Sequence, residues 1–174
     1  MNAINGFVLV GGWPGSGKTT LARPLAAELG TVYLAKDVVK EALMDSIGPP
    51  RTVEDSRALG AAAVAVVLRI AQGCPGAVID STWFPYALPL VRELPGPFVE
   101  LRCRIDIDVA RARYLRRVRD PRHLDALRTE DELWGSEVAP LGVGPLVEVD
   151  TAEPVDMVAL ADRIRSLVGR SPSR

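Results

Sequence analysis

The strongest constraint on this chain lies near its amino terminus. An apolar run, Phe7–Val10, leads into Gly12-Trp13-Pro14-Gly15-Ser16-Gly17-Lys18-Thr19 and then into a helical pattern over Lys18–Leu29. These eight residues match G-x-x-x-x-G-K-[ST] without a gap, and they stand in the strand, loop and helix context in which that pattern cradles phosphate. In a chain of 174 residues a chance match is on the order of one in a hundred, before the flanking elements are counted. Glycines lack Cβ, so the backbone N–H groups of about residues 15–20 can turn inward around an anion. The start of the next helix adds the positive end of its dipole. Gly12, Trp13, Pro14, Gly15, Ser16, Gly17, Lys18, Thr19 and Thr20 are therefore the expected contacts for the phosphates of ATP. The Lys18 ammonium is expected at the β- and γ-phosphates, and the Thr19 hydroxyl on Mg²⁺.

The rest of the chain alternates between strand and helix patterns. A second apolar run, Thr31–Leu34, precedes helical patterns at Val38–Ile47 and Glu54–Gln72. Further strands are expected at Ala77–Asp80, Phe98–Cys103 and Leu146–Val149, with helices over Ile107–Arg119 and Val155–Leu167. Thr52 followed by Asp55 marks the start of the long Ala/Val-rich helix. This order predicts an α/β fold with one parallel sheet covered on both faces. The length suits one compact domain over 1–170, with 171–174 as a loose tail.

Composition narrows the class. Net charge is −1, so no global positive field gathers nucleic acid or an anionic membrane. The longest apolar stretch, Ala58–Ala71, is broken by Gly60 and Arg69 and is shorter than the roughly 20 residues a membrane span needs. No secretory signal is visible, and the expected location is cytoplasmic. Cys74 and Cys103 fit no metal-ligand spacing and read as buried thiols in a reducing compartment.

A phosphate loop says only that nucleotide binds; the reaction must be read from the other strand ends. Asp80 closes an apolar run, which places its carboxylate at the carboxyl edge of the sheet, either as a Mg²⁺ ligand or as a strand-end cap. Ser81 follows, where a water-activating glutamate would suit a hydrolase, so hydrolysis is disfavoured as the main activity. Asp37 follows the second strand and is the expected general base for an acceptor hydroxyl; the alternative is an N-cap for a helix starting at Val38. Lys40 reads either as a contact for an acidic acceptor group or as a solvated helix residue. Thr82 and Trp83, with Phe84 and Tyr86, form either a surface on which a planar or sugar-like acceptor stacks or a loop anchored in the core.

Nine arginines lie between Arg102 and Arg128: 102, 104, 111, 113, 116, 117, 119, 122 and 128. Val109, Ala112, Leu115 and Val118 are expected to face inward on the helix from Ile107, while Arg113 and Arg117 share another face at i, i+4 spacing. Asp120-Pro121 ends that helix. The segment is expected to act as a lid over ATP, with Arg113 and Arg117 neutralising charge during transfer. The alternative is a track for a nucleic-acid backbone. His123, the single histidine, is expected on the exposed edge of this segment, and Trp134 reads as core or pocket.

Taken together, Gly12–Thr19, Asp37, Asp80-Ser81-Thr82, the arginines near 113–119 and Val149-Asp150-Thr151 resemble the small P-loop kinases of the AAA_33 and zeta-toxin-like group. Leu101-Arg102-Cys103, Val109–Arg117 and Val149-Asp150-Thr151 are similar to chloramphenicol phosphotransferase, a resemblance that implies Asp37 as the base. Pro14–Thr19 and Asp37, with a basic residue three later, resemble the polynucleotide 5′-kinase domain, where arginine stands in place of Lys40. The resemblance implies a five-stranded parallel sheet of order 2-3-1-4-5, with Val149–Thr151 on the adenine side. It also implies ATP and Mg²⁺ as partners and a small-molecule hydroxyl as acceptor.

Overall fold

The computed structural model describes residues 3–118, 120–135 and 138–169. The expected tail at 171–174 and Arg119 lie outside the described residues. Five parallel strands, β1 (Phe7–Gly12), β2 (Val32–Ala35), β3 (Ala77–Asp80), β4 (Phe98–Arg104) and β5 (Leu146–Asp150), form a sheet of order β2-β3-β1-β4-β5. Every residue of β1 and β3 is buried, as strands covered on both faces require. The order matters for the site because it sets β3 directly beside β1, with Val10 opposite Asp80.

Helices α1 (Lys18–Glu28), α2 (Lys36–Ile47), α3 (Val53–Ala71), α4 (Leu88–Val91), α5 (Ile107–Arg116), α6 (Glu130–Trp134) and α7 (Met157–Val168) connect and cover the strands. The apolar core divides between the two faces of the sheet. On one face Leu21, Leu25 and Ala26 of α1 and Leu160 and Ile164 of α7 pack on Val8, Val10, Leu101 and Val147. On the other, Val64, Val67 and Leu68 of α3 pack on Phe7, Leu9 and Ile79. The expected start signal of α3 is a complete capping box: Thr52 Oγ1 accepts from Asp55 N, and Asp55 Oδ2 accepts from Thr52 N. No helix among the described residues is long and apolar enough to cross a membrane.

The expected inward face of α5 is not observed. Val109 and Leu115 are exposed, Ala112 is exposed, and Val118 lies beyond the end of the helix in full contact with solvent. A strict three-residue repeat turns by about 60° per step relative to the helix axis, so positions nine apart stand on opposite sides. Ala110 is instead the buried contact, and the carbonyl of Ala110 lies against Gly15 of the phosphate loop. The helix ends at Arg116 because Arg117 turns to an extended conformation, φ −70° and ψ 137°. Of the two thiols, Cys103 is buried and Cys74 is partly exposed.

Candidate active site

Gly12–Thr19 curls over the carboxyl end of β1 and delivers the chain into α1. Gly15 (φ 75°) and Gly17 (φ 84°) occupy the left-handed region, which side-chain-bearing residues rarely adopt. Gly15 has a second reason to lack a side chain, since an added Cβ would collide with the Ala110 carbonyl oxygen. Among the described residues, no side chain caps α1 and no acidic residue stands in its first turn. Its first N–H groups and dipole are thus oriented toward the loop, as an anion site needs. Ser16 Oγ, buried in the loop, also has no partner among the described residues.

Lys18 is folded into this loop, donating from Nζ to the carbonyls of Gly12 (3.0 Å) and Trp13 (2.8 Å). Burial lowers its pKa from the ordinary lysine value, Asp80 and Asp37 act to raise it, and Arg117 adds repulsion in the lowering direction. The four charged groups therefore share one electrostatic neighbourhood.

Thr19 and Asp80, 61 positions apart in sequence, meet directly: Thr19 Oγ1 donates to Asp80 Oδ2 at 2.6 Å. Tyr33 Oη donates to the same oxygen at 3.1 Å. Tyr33 was not legible as a site residue; its role depends on β2 lying beside β3, and no local motif marks it. Thr19 and Asp80 offer the hard oxygen donors that Mg²⁺ prefers, which fits a cation beside the phosphates. No cluster of three or more His, Cys, Asp or Glu residues suited to a metal forms among the described residues. Such a cation would take its remaining oxygens from phosphate and water.

Burial raises the Asp80 pKa, opposed by the Thr19 hydrogen bond, Lys18 and the Tyr33 hydrogen bond. For a carboxyl group raised on folding, the stabilising contribution is complete below the ordinary carboxylate range and is lost as pH rises through the raised folded value. Asp80→Asn removes the buried charge and keeps an oxygen for Thr19 and Tyr33. Its melting temperature is therefore expected to exceed wild type by about 2–4 °C at pH 8, with the gap closing near pH 4, while the Mg²⁺-dependent part of ATP affinity is lost. Thermal melts at both pH values and calorimetry with and without Mg²⁺ check this; a variant less stable than wild type at pH 8 contradicts it.

Asp37 lies in the first turn of α2, and the N-cap position belongs to Ala35, so the capping alternative is not what the fold shows. Its half-exposed carboxylate accepts from Lys36 Nζ at 2.7 Å and lies near enough to Lys18 and Asp80 to act on both charges. Lys40 corrects both expectations made for it. It is buried, and its Nζ donates to Ser56 Oγ on α3 at 2.7 Å. Trp83 is likewise a core residue: it is 5% exposed and donates from Nε1 to the Val10 carbonyl, lying over Gly11. Thr82 is partly buried beside it, and the exposed aromatic pair of this loop is Phe84 with Tyr86, ring centroids 6.2 Å apart.

The arginine-rich segment is extensively ion-paired. Arg102 and Arg104 face Glu148, Arg111 faces Asp108 and Glu130, Arg122 bonds Asp120 and Asp45, and Arg117 and Arg128 face Asp125. Hydrogen bonds from Arg122 hold the partly buried Asp120 carboxyl down at about 2. Arg113 donates to the Thr151 carbonyl at 3.0 Å, and Thr151 Oγ1 donates to the Ser16 carbonyl at 2.7 Å, so the end of β5 is tied both to α5 and to the phosphate loop. His123 is not on an exposed edge. It is 1% exposed, with Nε2 2.9 Å from Glu41 Oε1, and its carbonyl accepts from Ser56 Oγ at 3.2 Å. A turn that looks solvated in sequence thus plugs between α2 and α3. Trp134 is buried and packs against Trp13 and Tyr114.

With this geometry in place, the match to a known family is decisive. The AAA_33 family, an AAA domain, matches residues 7–130, from β1 through the arginine-rich segment. The chain belongs to the AAA_33 family. This AAA_33 chain has the fold of the small P-loop kinases. A candidate kinase from Chloroflexus aurantiacus superposes with a TM-score of 0.80 at 28% identity, covering 94% of this chain and 98% of that one. The APS kinase of Mycobacterium tuberculosis, solved with AMPPNP and APS, shares the fold at a TM-score of 0.62 and 17% identity, over 97% of this chain and 99% of that one. Uncharacterized proteins of Mycobacterium bovis and M. tuberculosis are 33% identical over 126 residues, 64% of this AAA_33 chain and 25% of their own length. The chain therefore spans about a quarter of the length of the curated relatives it matches.

Proposed function

We propose that this chain transfers the γ-phosphate of ATP to a hydroxyl group of a small molecule. The observation that carries this reading is the Thr19–Asp80 hydrogen bond beneath a phosphate loop whose lysine shares its surroundings with Asp37. The acceptor oxygen attacks the γ-phosphorus, Asp37 takes the hydroxyl proton, the bond to the bridging oxygen breaks and ADP leaves. Lys18 and the loop N–H groups hold the phosphates, and Arg113 and Arg117 on the lid neutralise charge as it shifts to the leaving oxygen. Mg²⁺ held by Thr19 and Asp80 would supply further charge neutralisation at the phosphate oxygens.

Small-molecule kinases such as the APS kinase share this fold, which supports a small acceptor. The pairing of Arg102, Arg104, Arg111 and Arg122 with Asp and Glu leaves no continuous row of unpaired cations among the described residues of this segment, which speaks against a polynucleotide track. Incubation with γ-labelled ATP and Mg²⁺, against a library of hydroxylated metabolites and antibiotics and against 5′-hydroxyl oligonucleotides, tests the reading. Label on a small acceptor is the expected result. Label on oligonucleotide ends, or bound ATP with no transfer to any acceptor, rejects it in favour of a nucleic-acid kinase or a nucleotide-binding module.

A further inference from the structure

Arg117 is held more closely than its place in an exposed, charged segment suggests. Its guanidinium carbon lies 4.3 Å from the centroid of the Tyr114 ring, and its Nη2 donates to Asp125 Oδ2 at 3.0 Å. A ring against the face fixes the plane of a guanidinium, and a carboxylate at one edge fixes its rotation. The planar fork has five N–H donors, so a single bond to Asp125 is compatible with others directed at phosphate oxygens.

Both supports are themselves anchored. Tyr114 meets Trp134 edge-on at 5.8 Å, and Trp134 packs on Trp13 at 5.7 Å, so a continuous stack runs from Arg117 to the second residue of the phosphate loop. Asp125 opens a short turn, Asp125–Leu127, entered through Leu124 in the left-handed conformation at φ 57°. The residue before that, His123, is buried between α2 and α3. The carboxylate is thus carried on a turn pinned to the body of the protein. The ring contacts thus link Arg117 to the phosphate loop through Trp13, and its charge acts on Lys18 in the lowering direction.

From this geometry we infer that Asp125 is a positioning residue: with Tyr114 it holds the Arg117 guanidinium in the place where the transferring phosphoryl group develops its charge. The inference rests on the phosphotransferase reading above and assigns roles to two residues that no motif marks. Asp125 touches no substrate; it acts through Arg117 by setting an orientation that would otherwise be lost among rotamers. Its pairing with Arg128 (4.0 Å) steadies the carboxylate from the other side.

The test needs no acceptor. Calorimetry with Mg²⁺ measures ADP alone and ADP with aluminium fluoride, a mimic of the phosphoryl group in transit. Asp125→Asn is expected to bind ADP within about twofold of wild type and to bind the aluminium fluoride complex about tenfold more weakly, as is Arg117→Ala. Asp125→Glu should recover part of the loss. In the double variant, Asp125→Asn should add nothing to Arg117→Ala, since residues acting through one group are not additive. The inference is overturned if Asp125→Asn weakens ADP and the complex equally, if it changes neither, or if the two substitutions add. Wild-type protein that takes up no ADP overturns the phosphate-loop reading and this inference with it, whereas intact ADP and aluminium fluoride binding with an indifferent Asp125→Asn removes this inference alone.

Discussion

Lys18→Ala is expected to lower phosphoryl transfer by about 10²–10³-fold while leaving the fold intact. The ammonium is held by two carbonyls of its own loop, Gly12 and Trp13. On the proposed reading, an incoming triphosphate would offer the same donors phosphate oxygens in place of these carbonyls, so little reorganisation would be needed. Because burial already disfavours the charged form of Lys18, its loss should cost the folded protein little. Thermal melting is therefore expected to shift by only a few degrees, at about 2–4 °C per kcal/mol. Transfer measured with labelled ATP alongside melts checks both halves. A variant that keeps transfer within tenfold of wild type removes Lys18 from the mechanism.

Asp37→Asn is the second large effect, with transfer expected to fall by about 10²–10⁴-fold and ATP affinity to stay within about twofold. Asparagine matches aspartate in shape and can still accept from Lys36, which now bonds Oδ1 at 2.7 Å, so the first turn of α2 should be undisturbed. What it cannot do is take a proton from an attacking hydroxyl. The separation of binding from turnover is the signature: calorimetry should register ATP normally and the transfer assay should not. Equal turnover in the variant would assign Asp37 to orientation or to the surface, and would transfer the search for a base to the other carboxylates around the loop.

The residues most legible in sequence are those whose role is local. Gly12–Thr19 is read from eight adjacent positions because backbone conformation, helix start and lysine reach are all decided within about two helical turns. The strand at Ala77–Asp80 and the Thr52–Asp55 capping box are likewise short-range features, and both are observed where expected. Readings that required a partner from elsewhere in the chain fared differently. Lys40 and His123 look like solvent residues in sequence, yet Ser56 and Glu41 receive them in the interior once α2 and α3 are packed. Trp83 reads in sequence as either a stacking surface or a core anchor, and the second holds because the Val10 carbonyl and the bare backbone of Gly11 leave a place for its indole. The repeat Val109, Ala112, Leu115, Val118 suggested an inward face, but a period of three does not match a helix over nine residues.

By itself, then, the amino-acid sequence determined the alternation of strands and helices, the phosphate loop and the acidic residues Asp37 and Asp80 at strand ends, because each follows from chemistry among near neighbours. Only the tertiary structure decided that Thr19 meets Asp80, that Tyr33 joins them, and that Asp125 and Tyr114 grip Arg117. The physical reason is that one such side-chain bond contributes only about 1 kcal/mol net. Its partners are chosen by which surfaces the whole core brings together, through burial spread over both faces of the sheet.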